Sequence, residues 1–178
     1  MRSWHSTLYP ILFAGAASVW SGTAPAFDGI VYGVGESRDS IAIFRSGLQL
    51  AFGRRWYETE RGFVSGFHEV SLNHWWTGEE SITGVAYSPV FTYHFVGGAR
   101  VQPYAEFGIG VGYLSDKTIR FRNLSTRFQF EDRLGVGLTF GKDNAHDLNF
   151  RYMHYSNANM KEPNHGIDIF MLSYAYTY

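Results

Sequence analysis

A two-residue alternation runs through long segments of this chain and limits the folds that it can adopt. From Val101 to Tyr113 every odd position is apolar or aromatic, whereas the even positions carry glycines and the side chains of Gln102, Tyr104 and Glu106. The same alternation recurs in three further segments, 85–95, 127–140 and 167–178. Successive side chains of a β-strand point to opposite faces, so each segment predicts a strand with one apolar face and one polar face. Such strands are about twice as long as the roughly 5 to 6 residues typical of soluble proteins, and this length is typical of strands that cross a membrane.

About eight strands can be placed along the chain. They lie near Gly29–Gly35, Ile41–Phe52, Val64–Trp76, Thr83–Phe95, Val101–Leu114, Arg127–Phe140, Ala145–Ser156 and Ile167–Tyr178. Eight is the smallest number of strands common in closed transmembrane barrels, and closure leaves no edge strand with unpaired backbone groups in the hydrocarbon. The chain also ends on the aromatic residue Tyr178, which resembles the C-terminal strand signal of bacterial outer-membrane barrels. We therefore predict an all-β fold: an eight-stranded antiparallel transmembrane β-barrel that forms a single domain over residues 27–178.

The first 26 residues have the pattern of a secretory signal. Arg2 precedes an apolar stretch from Leu8 to Trp20, which is too short and too interrupted to span a bilayer as a helix. Small residues, Ala24 and Ala26, stand at the positions that signal peptidases require before a cleavage site. The sequence therefore predicts a signal peptide over residues 1–26 and export of the remainder.

The composition excludes several classes of function. The 178-residue chain has a net charge of -1, so it lacks the strongly basic surface of a nucleic-acid-binding protein. It contains no Cys, which excludes disulfides, thiolate metal sites and a catalytic thiol. His68 and His74 share one strand face but have no third ligand in the pattern, and no nucleotide-binding motif is present. We therefore expect neither a metal nor a cofactor.

The polar faces of the predicted strands point into the barrel. A soluble barrel would need the opposite assignment, and the aromatic content of the apolar faces argues against it. An eight-stranded interior is narrow enough for side chains to fill, so we expect a polar plug of ion pairs, with a pore or ligand cavity as the alternative. The predicted inward-facing residues are Arg45, Glu69, Asn73, Gln102, Glu106, Arg133 and Arg151.

The connections between strands divide between two ends of the barrel. With both termini in the periplasm, the outer connections are 36–40, 77–82, 115–126 and 157–166. The connection 53–62 then lies at the periplasmic end, where its length is unusual for such barrels.

Three residues with the chemistry of a serine hydrolase cluster at the outer rim. His154 and Ser156 continue the outward-facing set of the seventh predicted strand, and Asp168 shares the outward face of the eighth. A serine becomes a nucleophile when a neutral imidazole removes its proton, and a carboxylate orients that imidazole. The spacing alone also fits ordinary polar residues at a membrane interface.

The C-terminal segments Arg151–Ala158 and Pro163–Asp168 resemble the motif of the PagL-type lipid A 3-O-deacylases, which are outer-membrane esterases. The resemblance implies that His154 is the general base, Ser156 the nucleophile and Asp168 the orienting acid. A member of that family carries Glu where this chain has Asp168, so the shorter side chain leaves Glu162 as the rival carboxylate.

An acyl-transfer site also needs hydrogen-bond donors for the oxyanion, and Asn157, Asn164 and neighbouring backbone amides are the candidates. Lys117, Arg120 and Arg122 lie in the third outer connection, where they are candidates for binding the phosphates of a lipopolysaccharide headgroup.

The resemblance implies a lipid A deacylase of the bacterial outer membrane that acts at the outer leaflet and removes the acyl chain at the 3-position. The alternatives are a structural or adhesion barrel without catalysis, and another lipid A acyl-transfer enzyme or a phospholipase. The expected partners are lipid A and the surrounding membrane lipid, with no nucleic acid, and the sequence leaves a homodimer open.

Overall fold

The computed structural model describes residues 27–96 and 100–178, so the signal-peptide prediction lies outside the described residues. The strands in these residues are β1 (Gly29–Ser37), β2 (Ala42–Ala51), β3 (Trp56–Thr59), β4 (Gly62–Trp76), β5 (Ser81–Phe95), β6 (Val101–Leu114), β7 (Thr118–Ile119), β8 (Arg122–Asn123), β9 (Phe128–Phe140), β10 (His146–Ser156) and β11 (Ile167–Thr177). A single 3-10 turn, Lys142–Asn144, joins β9 to β10. No helix in the described part of the chain is both long and apolar enough to cross a membrane.

Eight long strands close into an antiparallel barrel, as predicted. Each pairs with a neighbour on both sides in the order β2, β1, β11, β10, β9, β6, β5, β4, and β4 pairs with β2 to complete the circle. The first and last strands of the chain are neighbours, with Gly29 opposite Thr177 and Ser37 opposite Ile169. Closure pairs the backbone of every long strand on both sides, which removes the edges that hydrocarbon could not solvate.

The alternation of the sequence becomes the two faces of the barrel wall. On β6, Phe107 and Ile109 are 52% and 58% exposed, whereas the neighbouring Glu106 on the same strand is 2% exposed. Aromatic rings pack across neighbouring strands on the outer surface, as Phe150 and Phe170 do with ring centres 6.3 Å apart. The apolar face therefore points outward, which is the assignment for a barrel in lipid.

An ion-pair network fills the middle of the barrel. Arg45 contacts Glu69 at 2.7 Å and Glu131 at 2.8 Å, and Arg133 contacts the same two carboxylates at 3.1 Å and 2.6 Å. Ser88 donates a further hydrogen bond to Glu131 at 2.6 Å. Because each buried charge faces opposite charges, the network offsets the cost of removing these groups from water. The interior is therefore the predicted polar plug.

An apolar cluster closes the outer mouth above this network. Trp75 and Tyr155 pack edge to face at its centre, with ring centres 4.8 Å apart. The third outer connection contributes to it, because β7 and β8 form a short hairpin that places Ile119 in the cluster, and Leu124 follows just after it; both are fully buried. This outer connection is thus a folded cover over the mouth of the barrel.

The unusually long inner connection contains a short strand, β3. β3 pairs with β4, with Trp56 opposite Val64. The Trp56 ring packs 5.5 Å from that of Phe52, and the Arg55 guanidinium lies 4.0 Å from the ring centre of Phe63. Residues 53–62 therefore extend the β2–β4 hairpin and cover its aromatic side chains. This role accounts for the length of the connection.

Candidate active site

His154 and Asp168 form a hydrogen-bonded pair on the outer surface of the barrel. They lie directly opposite each other on β10 and β11, near the outer rim. The distance from His154 Nδ1 to Asp168 Oδ1 is 2.7 Å, and the two side chains are 35% and 31% exposed. Cross-strand neighbours on one face of an antiparallel pair are close enough for such a contact, so strand register alone brings the two side chains together.

This contact determines the protonation of the imidazole. An ionised carboxylate can only accept hydrogen bonds, so His154 Nδ1 carries a hydrogen and donates a hydrogen bond to Asp168. In the neutral ring, Nε2 then keeps its lone pair and can act as a base. The pair has the two features that a serine hydrolase requires of its histidine: a defined tautomer and a defined orientation.

Ser156 is the last residue of β10 and lies two positions beyond His154 on the same face. It is partly exposed and pairs with Phe130 of β9. Two residues along one strand separate side chains by about 7 Å at their Cβ atoms, and among the described residues the imidazole is hydrogen-bonded to Asp168 and not to Ser156. The structure thus places the three predicted residues on one outward-facing patch.

A second carboxylate flanks His154 on its other side. Asp132 of β9 lies directly opposite His154 and is exposed on the same outer face. The sequence analysis did not single it out, although it shares the parity of Phe130 and Leu134. Of the two carboxylates, Asp168 is the one that accepts the hydrogen bond from the imidazole N–H.

Glu162, the rival acid in the sequence analysis, lies in the outer loop between β10 and β11. Its carboxylate accepts a hydrogen bond from the backbone N–H of Asn164 at 3.1 Å, and the residue is exposed. Among the described residues it makes neither a hydrogen bond nor an ion pair with His154. The carboxylate that contacts the imidazole is therefore Asp168.

The outer loop that follows Ser156 is held together by Asn157 and Asn164. Asn157 is fully buried, and its amide donates to the carbonyl oxygens of Leu124 and Lys161, each at 2.8 Å. Its backbone N–H donates to Asn164 Oδ1 at 3.2 Å. Both hydrogens of the Asn157 amide are thus used to shape the loop, which leaves backbone N–H groups as the donors nearest to Ser156 in sequence.

Gly166 completes the loop beside the imidazole. Its φ is +56°, and a Cβ atom at this position would lie 2.9 Å from His154 Cε1 and 3.4 Å from Nε2. Glycine is therefore favoured at this position for two reasons. The backbone is left-handed, and a side chain would contact the imidazole of His154 near Nε2. Gly166 falls within the Pro163–Asp168 segment of the motif, where the sequence alone does not show this requirement.

Two of the three predicted phosphate-binding residues are engaged with other outer loops. Arg122 forms an ion pair with Asp39 at 2.5 Å and donates to the carbonyl of His165 at 2.8 Å. Arg120 donates to the backbone carbonyl of Asp39. The third residue, Lys117, is exposed. The backbone N–H groups of Thr118 and Lys117 both donate to Asp116, and these hydrogen bonds hold the pKa of the Asp116 carboxyl below its usual range.

The surroundings of the site differ from those of an enzyme with an enclosed pocket. A polar cavity of about 300 Å³ lies at the inner end of the barrel, lined by residues such as Asp28, His94 and Asp147, which are remote from the outer rim. Within residues 27–96 and 100–178, no three His, Asp or Glu side chains are arranged to hold a metal ion. The His154–Asp168 pair instead opens directly onto the lipid-facing surface.

Comparison with known proteins agrees with this geometry. The family model described as lipid A 3-O-deacylase (PagL) matches residues 42–177. The lipid A deacylase PagL of Pseudomonas aeruginosa is 34% identical over 165 residues, which cover 92% of this chain and 93% of that protein. The lipid A deacylase PagL of Bordetella bronchiseptica is 29% identical over 152 residues, or 83% of this chain and 80% of that protein.

A solved structure supports the same relationship. The crystal structure of the outer membrane enzyme PagL superposes with a TM-score of 0.79 at 33% identity, and the match covers 84% of this chain and 99% of that one. The family model, the sequence relatives and the shared barrel agree over most of the chain. The family-model match spans the strands that carry His154, Ser156 and Asp168. This chain belongs to the lipid A 3-O-deacylase (PagL) family.

Proposed function

We propose that this protein is an outer-membrane esterase that hydrolyses the ester-linked acyl chain at the 3-position of lipid A. The observation that carries the proposal is the His154–Asp168 pair on the lipid-facing surface, beside Ser156 and at the outer rim. A site at the outer rim and on the lipid-facing side of the wall would meet the acyl esters of the outer leaflet. The substrate can therefore be cleaved while it stays in the membrane.

The reaction follows from the roles of the three side chains. Ser156 Oγ attacks the ester carbonyl while His154 Nε2 removes the hydroxyl proton, and Asp168 stabilises the imidazolium that forms. His154 then returns the proton to the departing sugar hydroxyl, which leaves an acyl chain on Ser156. Water, deprotonated by His154, attacks this acyl-enzyme and releases the fatty acid, which restores the serine.

The oxyanion of each tetrahedral intermediate needs donors that are already oriented. Ala158 and Asn159 follow the nucleophile with φ values of +52° and +58°, an unusual conformation for residues with side chains. Such strain is found where the surrounding structure holds a backbone for a purpose. We assign the oxyanion site to the backbone N–H groups of Ala158 and Asn159, whose direction is maintained by the hydrogen bonds of Asn157 and Asn164 within the same loop.

The headgroup of the substrate would extend from the membrane over the outer loops. Among the three predicted phosphate ligands, Lys117 is exposed at the loop surface and is the one proposed to bind a headgroup phosphate directly. The contacts of Arg120 and Arg122 with Asp39 support a role in holding the outer loops together. All the proposed groups lie on one chain, so the mechanism does not require a second copy.

Removal of the nucleophile tests the proposal. Purified protein in detergent is expected to lower the mass of lipid A by one acyl chain, whereas Ser156→Ala and His154→Ala leave the mass unchanged. Both side chains lie on the surface, so their removal opens no core cavity and the barrel should keep its heat-dependent gel mobility. An increase in mass would indicate acyl transfer to lipid A, and an unchanged mass with the unaltered protein would indicate a barrel without this activity.

A further inference from the structure

The carboxylate of Asp168 accepts a second hydrogen bond besides the one from His154. The phenol of Tyr152 lies 2.6 Å from Asp168 Oδ1, the same oxygen that lies 2.7 Å from His154 Nδ1. An ionised carboxylate only accepts, so both the phenol and the imidazole donate to it. The catalytic pair is thus part of a three-membered chain of side chains on the outer surface.

Strand geometry explains how Tyr152 reaches this carboxylate. Tyr152 lies opposite Phe170 on β11, which makes it a diagonal neighbour of Asp168. Diagonal pairs on one face are within reach of aromatic side chains, and the phenol is long enough to bridge the gap. The ring also packs against Phe170, with ring centres 5.6 Å apart, so this contact holds the direction of the hydroxyl.

We propose that Tyr152 is a positioning residue that orients the carboxylate of Asp168 toward His154. The terminal torsion of an aspartate side chain is broad, so one hydrogen bond leaves its carboxylate plane free to turn. The Asp168 side chain is 31% exposed, where water and lipid headgroups compete for its oxygens. A second donor on the same oxygen restricts that motion and keeps the acceptor in line with Nδ1. The inference rests on the proposed function, because it assigns Asp168 to the catalytic site.

Tyr152→Phe removes the hydroxyl and keeps the ring that packs on Phe170. Because the lost hydrogen bond is made to a charged group, we expect kcat for lipid A to fall by a factor on the order of 10 to 100, with KM unchanged. Tyr174→Phe is the matched control, because its phenol lies 2.7 Å from His146 Nδ1 on the same outer face of the same strand pair. The control variant should keep the kcat of the unaltered protein.

A double-mutant cycle separates positioning from a direct contact with the substrate. In an Asp168→Ala background, Tyr152 has no carboxylate to orient, so Tyr152→Phe should cause no further loss. If the phenol instead binds lipid A or supports the barrel, the loss should be the same in both backgrounds. The latter result would overturn the inference.

The rate at which Ser156 reacts with a small fluorophosphonate provides a readout without lipid A. Long incubations make it measurable in slow variants, so the whole cycle can be repeated with this probe. We expect Tyr152→Phe to slow this reaction by the same factor as kcat, and Tyr174→Phe to leave it unchanged. A normal rate in Tyr152→Phe would overturn the inference while leaving the esterase assignment intact. Activity in Ser156→Ala would instead refute the assignment of the nucleophile, and an unchanged lipid A mass with the unaltered protein would refute the proposed function.

Discussion

At the scale of single residues, the site depends on an imidazole that lies between two carboxylates. Asp168 and Asp132 each lie directly opposite His154, on β11 and β9. The acceptor of the Nδ1 proton decides which ring nitrogen can act as a base. Strand pairing therefore offers two possible orientations of the ring, and the hydrogen bond to Asp168 selects one.

Substitution of the two carboxylates tests this selection. We expect Asp168→Asn to lower kcat by a factor on the order of 10² to 10⁴, because the imidazole loses the charge that orients it and stabilises its protonated form. Asp132→Asn should retain most of the activity, and so should Glu162→Gln in the outer loop. Deacylation rates in detergent measure all three. Loss of activity in Asp132→Asn together with full activity in Asp168→Asn would show that the imidazole uses the opposite neighbour.

At the scale of elements, the outer loops act together and not as separate connections. Arg122 of β8 contacts Asp39 in the first outer loop and the carbonyl of His165 in the fourth. Ser125 donates to the carbonyl of Pro163 at 2.6 Å. These contacts hold the fourth loop on the barrel mouth, which places its last residue against the imidazole.

Gly166 is where this loop meets the site, and an added methyl group should disturb it. Gly166→Ala places a Cβ 2.9 Å from His154 Cε1, so the ring must move. We expect kcat to fall by a factor on the order of 10 to 100, because a displacement of about 1 Å has that effect on a catalytic group. Gly78→Ala is the matched control, since its φ is +94° but a Cβ there meets no atom within 4 Å.

The two glycine variants separate backbone strain from displacement of the ring. Both should lose a similar stability of about 1 to 2 kcal/mol, which is the cost of a side chain in left-handed backbone. Gly78→Ala should nevertheless remain fully active. Equal activity of the two variants would show that the loop adjusts without moving the imidazole. Denaturant unfolding and deacylation rates provide the two measurements.

At the scale of the whole molecule, the proposed catalytic site and the buried ion pairs lie on opposite faces of one barrel wall. The proposed catalytic side chains lie on the lipid-facing surface, whereas the ion pairs of Arg45, Arg133, Glu69 and Glu131 fill the interior and are fully buried. Removal of one buried partner leaves charges without compensation, which costs far more than an exposed ion pair contributes. The interior should therefore control folding more than chemistry.

Glu131→Gln tests this separation. Glu131 contacts both Arg45 and Arg133, so neutralising it should lower the free energy of unfolding by about 3 to 5 kcal/mol. The control is Glu79→Gln in an exposed outer loop, which should have a negligible effect. Urea unfolding in detergent measures the difference, and the folded variant should keep its kcat. A folded but inactive Glu131→Gln would link the interior to the catalytic surface.

Much of the fold and part of the site could be predicted from the sequence. The alternation predicted the strands that form the barrel and the outward face of His154, Ser156 and Asp168, because side-chain parity is a local property of a strand. It did not reveal Asp132 as a neighbour or the bond from Tyr152, because these depend on which residues of adjacent strands lie opposite each other. Parity alone is compatible with several registers.

The sequence by itself determined the architecture, the apolar outer face and the residue types available for an esterase. The physical reason is that a closed barrel in lipid must alternate apolar and polar side chains along every strand. The tertiary structure determined which carboxylate accepts the hydrogen bond from His154 and how β7 and β8 cover the mouth of the barrel. It also placed residue 166 where only glycine fits without displacing the imidazole. These features arise from strand register and from loops folded onto each other, where contacts join residues far apart in the chain.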